Sequence, residues 1–276
     1  MVYLNGEYID EKNAFISVMD RGFLFGDGVY EVIPVYQAKI FKLDEHIKRL
    51  TSNLELIRIK NPYNLEKWQE ILNKLISELN SDNQSIYIQI SRGVDVVRKH
   101  LATKELKPTI FIKTTEFKPH SYQYLKKGHK AITRDDIRWQ RCNIKSTSLL
   151  ANVLYAYDAD DKNVEEVILI KDGVVTEGSS SNIFIYTDNT IYTHPIDKYI
   201  LPGVTRNLVI KVANKLNINV KEAYFSKETL LMADEVFISS STREIMPIIS
   251  VNNKKIADGK VGDIWQKLYK SYQKIK

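Results

Sequence analysis

The chain has 276 residues, 43% hydrophobic and 27% charged, with 40 Lys and Arg against 34 Asp and Glu for a formal charge of +6. That length allows one large domain or two modest ones, and the composition excludes a disordered or low-complexity chain. Basic residues are scattered among acids, which speaks against a nucleic-acid partner; no apolar run reaches membrane-spanning length, and the single Cys142 excludes an intrachain disulfide and fits a reducing cytoplasmic setting.

The start, Met1 to Tyr8, is polar and acidic, so no signal peptide is read there. Short strand-like pieces follow, turning at Asn5-Gly6. Gly22, Gly26 and Gly28, set among aromatics between Asp20 and Val32, predict a tight turn before a strand. From Asp44, a candidate N-cap, Ile47, Leu50, Leu54 and Ile57 recur at helical spacing and leave Arg49 off the centre of the apolar stripe. A second helix is predicted over Leu65 to Leu79, a strand over Ser85 to Ser91, and a β-rich run over Thr109 to Thr115. The pattern breaks around Phe117 to Ser121. We therefore expect a smaller N-terminal α/β domain over 1–117, a linker at 118–121 and a larger C-terminal domain over 122–276.

In the second half, Ser148 to Asp161 reads as a helix, Val167 to Ile170 and Ile183 to Tyr186 as strands, and Asp172-Gly173 as a hairpin turn. Val204, Leu208, Val212 and Leu216 have helical spacing behind Pro202-Gly203, and Val236 to Ile238 forms a strand running into Ser239 to Thr242. The class is mixed α/β.

The chemistry centres on Lys145, between Ile144 and the hydroxyl run Ser146-Thr147-Ser148. Attack on a carbonyl needs a free amine, which burial or neighbouring cations favour. The bland reading of Lys145 is a surface lysine. Glu177 lies in Thr176-Glu177-Gly178-Ser179-Ser180-Ser181-Asn182, whose small residues let a flat ligand approach; it is either the acid that holds a proton on a pyridine ring nitrogen or an exposed turn residue. A phosphate could use the helix start at Val204 and Thr205, the hydroxyls of Ser240 and Ser241, and Arg49, which could equally be a surface arginine. Arg98-Lys99-His100 is a carboxylate trap or a solvated basic loop. No histidine spacing suggests a metal ligand set or a nucleophile triad.

Together these segments resemble the fold-type IV pyridoxal-phosphate enzymes over nearly the whole chain, and within them the D-amino-acid aminotransferases. The likeness rests on Asp20-Arg21-Gly22 with Phe25 to Glu31, on Glu45 to Leu50, on Asp136 to Trp139 with Arg141 to Ser146, and on Thr176 to Asn182. Tyr192 to Pro195 and Asp258 to Gly262 add to it. The resemblance implies two domains with pyridoxal 5'-phosphate at their interface, and a homodimer. It also implies amino transfer between D-amino acids (D-alanine, D-glutamate) and 2-oxo acids (2-oxoglutarate, pyruvate) in two ping-pong half-reactions. By the same resemblance Lys145 bonds the cofactor and moves the substrate α-proton, Glu177 pairs with the ring nitrogen, and Leu201 packs on the ring. Arg49, Val204, Thr205, Ser240 and Ser241 hold the phosphate. Tyr30, Arg98 and His100 hold the substrate carboxylate, the last two reaching across from a second subunit. The Arg-x-His pair distinguishes this branch from L-branched-chain aminotransferases and aminodeoxychorismate lyases, which share the other residues. Two positions depart from the pattern. Val94 to Val97 is more apolar than expected, and Arg243 stands where a small or neutral side chain is expected; pointing inward it would favour dicarboxylic substrates, and pointing outward it would change nothing.

Overall fold

The computed structural model describes residues 1–103 and 105–276, and its contacts divide the chain into two units, Met1–Lys118 with Ile144–Leu149, and Pro119–Asn143 with Leu150–Lys276. In the first unit, β1 (Val2–Leu4) and β2 (Glu7–Ile9) join through Asn5 and Gly6, whose φ values of 53° and 110° suit a two-residue hairpin. Helix α1 (Arg21–Phe25) is capped by the Asp20 side chain and ended by Gly26 at φ 64°. The sequence predicted only a turn here, because five residues are too few to display a helical period.

Strands β3 (Gly28–Tyr36) and β4 (Lys39–Ile40) lead into helices α2 (Leu43–Leu56) and α3 (Leu65–Glu78), then β5 (Gln84–Ser91) and β6 (Thr109–Glu116). Asp44 is not the N-cap of α2: Lys42 is, in a left-handed conformation, and Asp44 lies in the first turn, where its charge favours the helix N-terminus. Among the described residues the strands form an antiparallel sheet in the order β2-β1-β6-β5-β3-β4. Ile86, Ile88 and Ile90 are buried at every second position of β5 and share a core with Leu50 and Leu54 of α2 and Trp68, Ile71, Leu72 and Leu75 of α3.

The second unit contains α4 (Tyr122–Lys126), β7 (His129–Asp135), α5 (Leu150–Asp161), β8 (Glu166–Lys171), β9 (Val174–Gly178), β10 (Asn182–Thr187) and β11 (Thr190–Thr193). It continues with α6 (Val204–Lys215), β12 (Asn219–Glu222), α7 (Lys227–Met232), β13 (Glu235–Ser240), β14 (Glu244–Val251), β15 (Lys254–Lys255) and α8 (Asp263–Gln273). Its sheet runs β12-β11-β10-β13-β14-β7-β8-β9, with β15 on β14. The β11/β12, β14/β7 and β7/β8 pairs are parallel and the others antiparallel. Phe184 and Phe237 stack at 5.2 Å in its interior, and the buried Trp265 of α8 donates its ring N–H to Ile245 O at 3.0 Å.

The segment Ile144–Leu149 groups with the first unit, although it falls within the 122–276 range expected for the C-terminal domain. The cause is a free strand edge. β4 pairs with β3 only at Val35 and Tyr36, so the start of β3 takes a different neighbour: Val29 bridges to Ser146 and Tyr30 N donates to Lys145 O at 3.0 Å. Ile144 then completes the core beside the helices.

Candidate active site

Successive residues of β3 face opposite sides of the sheet, so Tyr30 is half-buried while Glu31 is fully buried. On α2, His46 and Arg49 lie three positions apart and share a face, and both reach Glu31. Arg49 donates from Nε to Oε1 at 2.7 Å and from Nη2 to Oε2 at 2.8 Å, and the His46 Nδ1–H donates to Oε2 at 2.9 Å. Burial opposes ionisation of Glu31, but Arg49 and His46 outweigh it and hold the carboxyl at about 2. Burial lowers His46, and the charges of Arg49 and Lys145 add to that. Arg49 is thus no surface arginine. Glu31 and His46 were missed as site residues, because nothing in their spacing shows that a strand residue meets a helix face.

Lys145 holds its amine 4.0 Å from the Tyr30 ring centroid, a cation–π contact. Its backbone is fixed on both sides, by Tyr30 N to Lys145 O and by Thr147, whose N–H donates to Gly28 O at 3.0 Å and whose hydroxyl donates to Gly26 O at 3.0 Å. Tyr30 and Lys145 are therefore brought together.

Arg98 and His100 gather on Phe25, with the Arg98 guanidinium 4.9 Å from the Phe25 ring and the His100 ring 5.7 Å from it. Among the described residues neither side chain forms a hydrogen bond or ion pair with Tyr30 or Lys145. Their segment is pinned by the buried Arg21, which donates to Lys99 O and His100 O, both at 2.6 Å, and from Nε to Asp27 at 2.9 Å. Within the apolar run Val94 to Val97, the Asp95 carboxylate accepts from Val96 N at 2.8 Å and from the Thr103 hydroxyl at 2.5 Å, which closes the loop.

In the second unit Glu177 belongs to β9 and is buried, so it is not an exposed turn residue. Its Oε1 accepts from Arg138 Nη1 at 2.5 Å, and its Oε2 accepts from Asn182 Nδ2 and Leu201 N, both at 3.0 Å. Burial pushes the Glu177 carboxyl up to about 7 against the pull of Arg138. Arg138 also forks onto Asp136, at 2.9 and 2.8 Å, and Thr176 Oγ1 donates to the same acid at 2.9 Å. The motif Asp136-Ile137-Arg138 was visible in the sequence, but its role as support for Glu177 was not.

Leu201 contributes backbone as well as a half-buried side chain: its carbonyl accepts from Asn182 Nδ2 at 2.9 Å while its N–H holds Glu177. Gly203 is the N-cap of α6, no side chain caps the helix, and Val204 and Thr205 form its first turn, where N–H groups lack helical acceptors. Ser240 ends β13, and its hydroxyl accepts from Arg243 N at 3.2 Å. Arg243 is tied to Glu166 Oε2 at 2.7 Å, Ser180 Oγ at 2.6 Å and Glu165 O at 2.8 Å, so its inward or outward course is decided by partners within its own unit. A buried acid beside Asn182 and Leu201, and a helix start three residues beyond Leu201, suit a flat ligand with a basic ring nitrogen and a phosphate. The residues fit pyridoxal phosphate.

A family model described as amino-transferase class IV matches residues 28–251. The chain belongs to that family. Among class IV aminotransferases and their relatives, D-alanine aminotransferase of Staphylococcus epidermidis is 40% identical over 273 residues, 99% of this chain and 96% of the relative. D-alanine aminotransferase of Listeria monocytogenes is also 40% identical, over 98% of this chain and 94% of its own length. A branched-chain amino acid aminotransferase structure from Escherichia coli superposes with a TM-score of 0.91 at 25% identity, covering 99% of this chain and 93% of that one. The fold-type IV resemblance read from the sequence is borne out, and this class IV aminotransferase uses pyridoxal 5'-phosphate.

Proposed function

We propose that the chain moves an amino group between a D-amino acid and a 2-oxo acid, with D-alanine and 2-oxoglutarate as the leading pair and D-glutamate and pyruvate as further substrates. Bound pyridoxal phosphate supplies the electron sink for the pair released when the substrate Cα–H bond breaks. Lys145 is the residue that bonds the cofactor, and its amine takes the proton from the substrate Cα. Glu177 keeps a proton on the ring nitrogen. Arg49, the Val204 and Thr205 N–H groups, Ser240 and Ser241 hold the phosphate, and Leu201 packs on the ring.

Tyr30, Arg98 and His100 hold the substrate carboxylate. With the carboxylate on that side, the α-hydrogen of a D-substrate faces Lys145 and that of an L-substrate does not. The observation that carries the D-assignment is the Arg98-x-His100 segment, anchored through two carbonyls by Arg21. Full-length similarity to D-alanine aminotransferases supports the same choice.

We read the active form as a cytoplasmic homodimer in which Arg98 and His100 serve the partner's site. Phe15, Val18, Phe23, Val96 and Leu101 are exposed, as a self-association face requires, and no described helix is long and apolar enough to cross a membrane. Folding domains at 1–117 and 122–276, with a linker at 118–121, belong to the same reading, with Ile144–Leu149 counted in the first. Spectra of the cofactor-loaded protein mixed singly with D-alanine and with L-leucine test the function. Rapid loss of the pyridoxal band with D-alanine is expected; conversion by L-leucine alone would move the chain to the L-branched-chain activity.

A further inference from the structure

Arg243 lies in the turn between β13 and β14, and three acceptors surround its guanidinium. Nη1 donates to Glu165 O at 2.8 Å, and Nη2 donates to Glu166 Oε2 at 2.7 Å and to Ser180 Oγ at 2.6 Å. Its own N–H donates to Ser240 Oγ at 3.2 Å.

Glu166, at the start of β8, is 1% exposed. Besides Arg243, it accepts from Val167 N at 2.8 Å, Ser179 N at 3.0 Å, Ser179 Oγ at 2.5 Å and Ser181 Oγ at 2.6 Å. Gly178 makes room for this arrangement. A Cβ there would lie 2.7 Å from Glu166 Oε2 and 2.4 Å from Ser181 Oγ. One buried carboxylate therefore organises the turn that follows Glu177, and one guanidinium fastens that turn to the loop bearing Ser240 and Ser241.

Glu177, on the strand that leads into the first of these segments, and Ser240 and Ser241, at the second, are assigned above to opposite ends of the cofactor, the ring nitrogen and the phosphate. We infer that Arg243 is a positioning residue that sets the separation between the end of β9, which carries Glu177, and the segment bearing Ser240 and Ser241, rather than a receptor for the second carboxylate of a substrate. The inference rests on the proposed cofactor roles of Glu177, Ser240 and Ser241. An arginine suits the task because its planar fork serves acceptors on both loops at once, whereas a lysine offers a single point charge. Its charge also offsets Glu166, which would otherwise be buried uncompensated.

Cofactor-free wild type, Arg243→Lys, Arg243→Met and the double variant Glu166→Gln/Arg243→Met are titrated with pyridoxal phosphate and with pyridoxal, and their thermal midpoints are recorded without cofactor. Arg243→Met should weaken pyridoxal phosphate by about 10- to 100-fold, as loss of residues supporting a ligand shell does at metal sites. Pyridoxal, which engages one end only, should lose less, and Arg243→Lys should recover part of the affinity. The double variant has no stranded carboxylate, so it should regain the thermal midpoint without regaining affinity. Wild-type affinity in the double variant overturns the inference, as does a KM increase in Arg243→Met confined to D-glutamate and absent with D-alanine. If wild type itself does not take up pyridoxal phosphate, the cofactor reading fails; if wild type and all variants bind alike, only the role of Arg243 fails.

Discussion

Arg138 donates to Glu177 at 2.5 Å and forks onto Asp136 at 2.8 and 2.9 Å, so one guanidinium serves two buried carboxylates. That arrangement makes Arg138 the electrostatic keystone of its unit. Removing it should leave buried acid without a countercharge, and Arg138→Met should lose about 3–5 kcal/mol of stability in urea unfolding. A loss below about 1 kcal/mol would mean that the pair is solvated.

Glu177 should make the cofactor-free protein less stable as pH rises. Its carboxyl is raised by burial from 4.5 to about 7, so its favourable contribution is complete below pH 4.5 and is lost as pH climbs through 7. Denaturation midpoints at pH 5 and pH 8 should differ in wild type, and the difference should shrink in Glu177→Gln. An undiminished slope in the variant would assign it to another group.

Glu31 acts in the opposite sense. Held at about 2 against an ordinary 4.5, it contributes stability above pH 4.5 that is lost as pH falls through 2, in all roughly 3 kcal/mol. His46, which burial lowers, must also take up a proton in acid, and this adds to the loss. Glu31→Gln should therefore show a flatter stability profile between pH 5 and pH 2 than wild type, measured by the same midpoints. A steeper profile would contradict the assignment.

Gly203→Ala should weaken cofactor binding without touching a proposed cofactor-contacting side chain. The added Cβ would lie 2.2 Å from Asn182 Oδ1, and Asn182 is the amide that donates to both Glu177 and Leu201 O. Forcing it aside costs about 1–3 kcal/mol in a packed site. Pyridoxal phosphate titration of the cofactor-free variant should show the loss, and unchanged affinity would show that Asn182 can yield.

Arg98→Ala should raise KM for D-alanine by removing a charge-assisted pair worth about 1.5–3 kcal/mol. The thermal midpoint should hold, because the Arg98 side chain is exposed and the segment is anchored by Arg21. Steady-state kinetics decide the matter; an unchanged KM would remove Arg98 from the substrate trap.

The helices with long apolar stripes were legible. Ile47, Leu50 and Leu54, and the predicted helix over Leu65 to Leu79, appear in α2 and α3 because burial of one helical face imposes its period on the sequence. Helix α1 was not legible, and Asp44 was misread as a cap because an acid in the first turn and an acid at the cap look alike in sequence. Lys145 and Glu177 stood out through their flanking motifs, whereas Glu31, Arg21 and Glu166 did not. Their importance depends on which carboxylate meets which cation after folding.

The periodic elements, the family and the residue types available for amine, acid and phosphate chemistry were readable before folding is considered, because they are carried by side-chain identity and by short-range spacing. That Ile144–Leu149 pairs with the free edge of β3, that Arg49 shares Glu31 with His46, and that Arg243 is held by Glu166 emerges only in the folded chain. Those outcomes depend on burial and on distances between residues remote in sequence. Both quantities set the local dielectric and the choice of partner, and neither exists until the chain has folded.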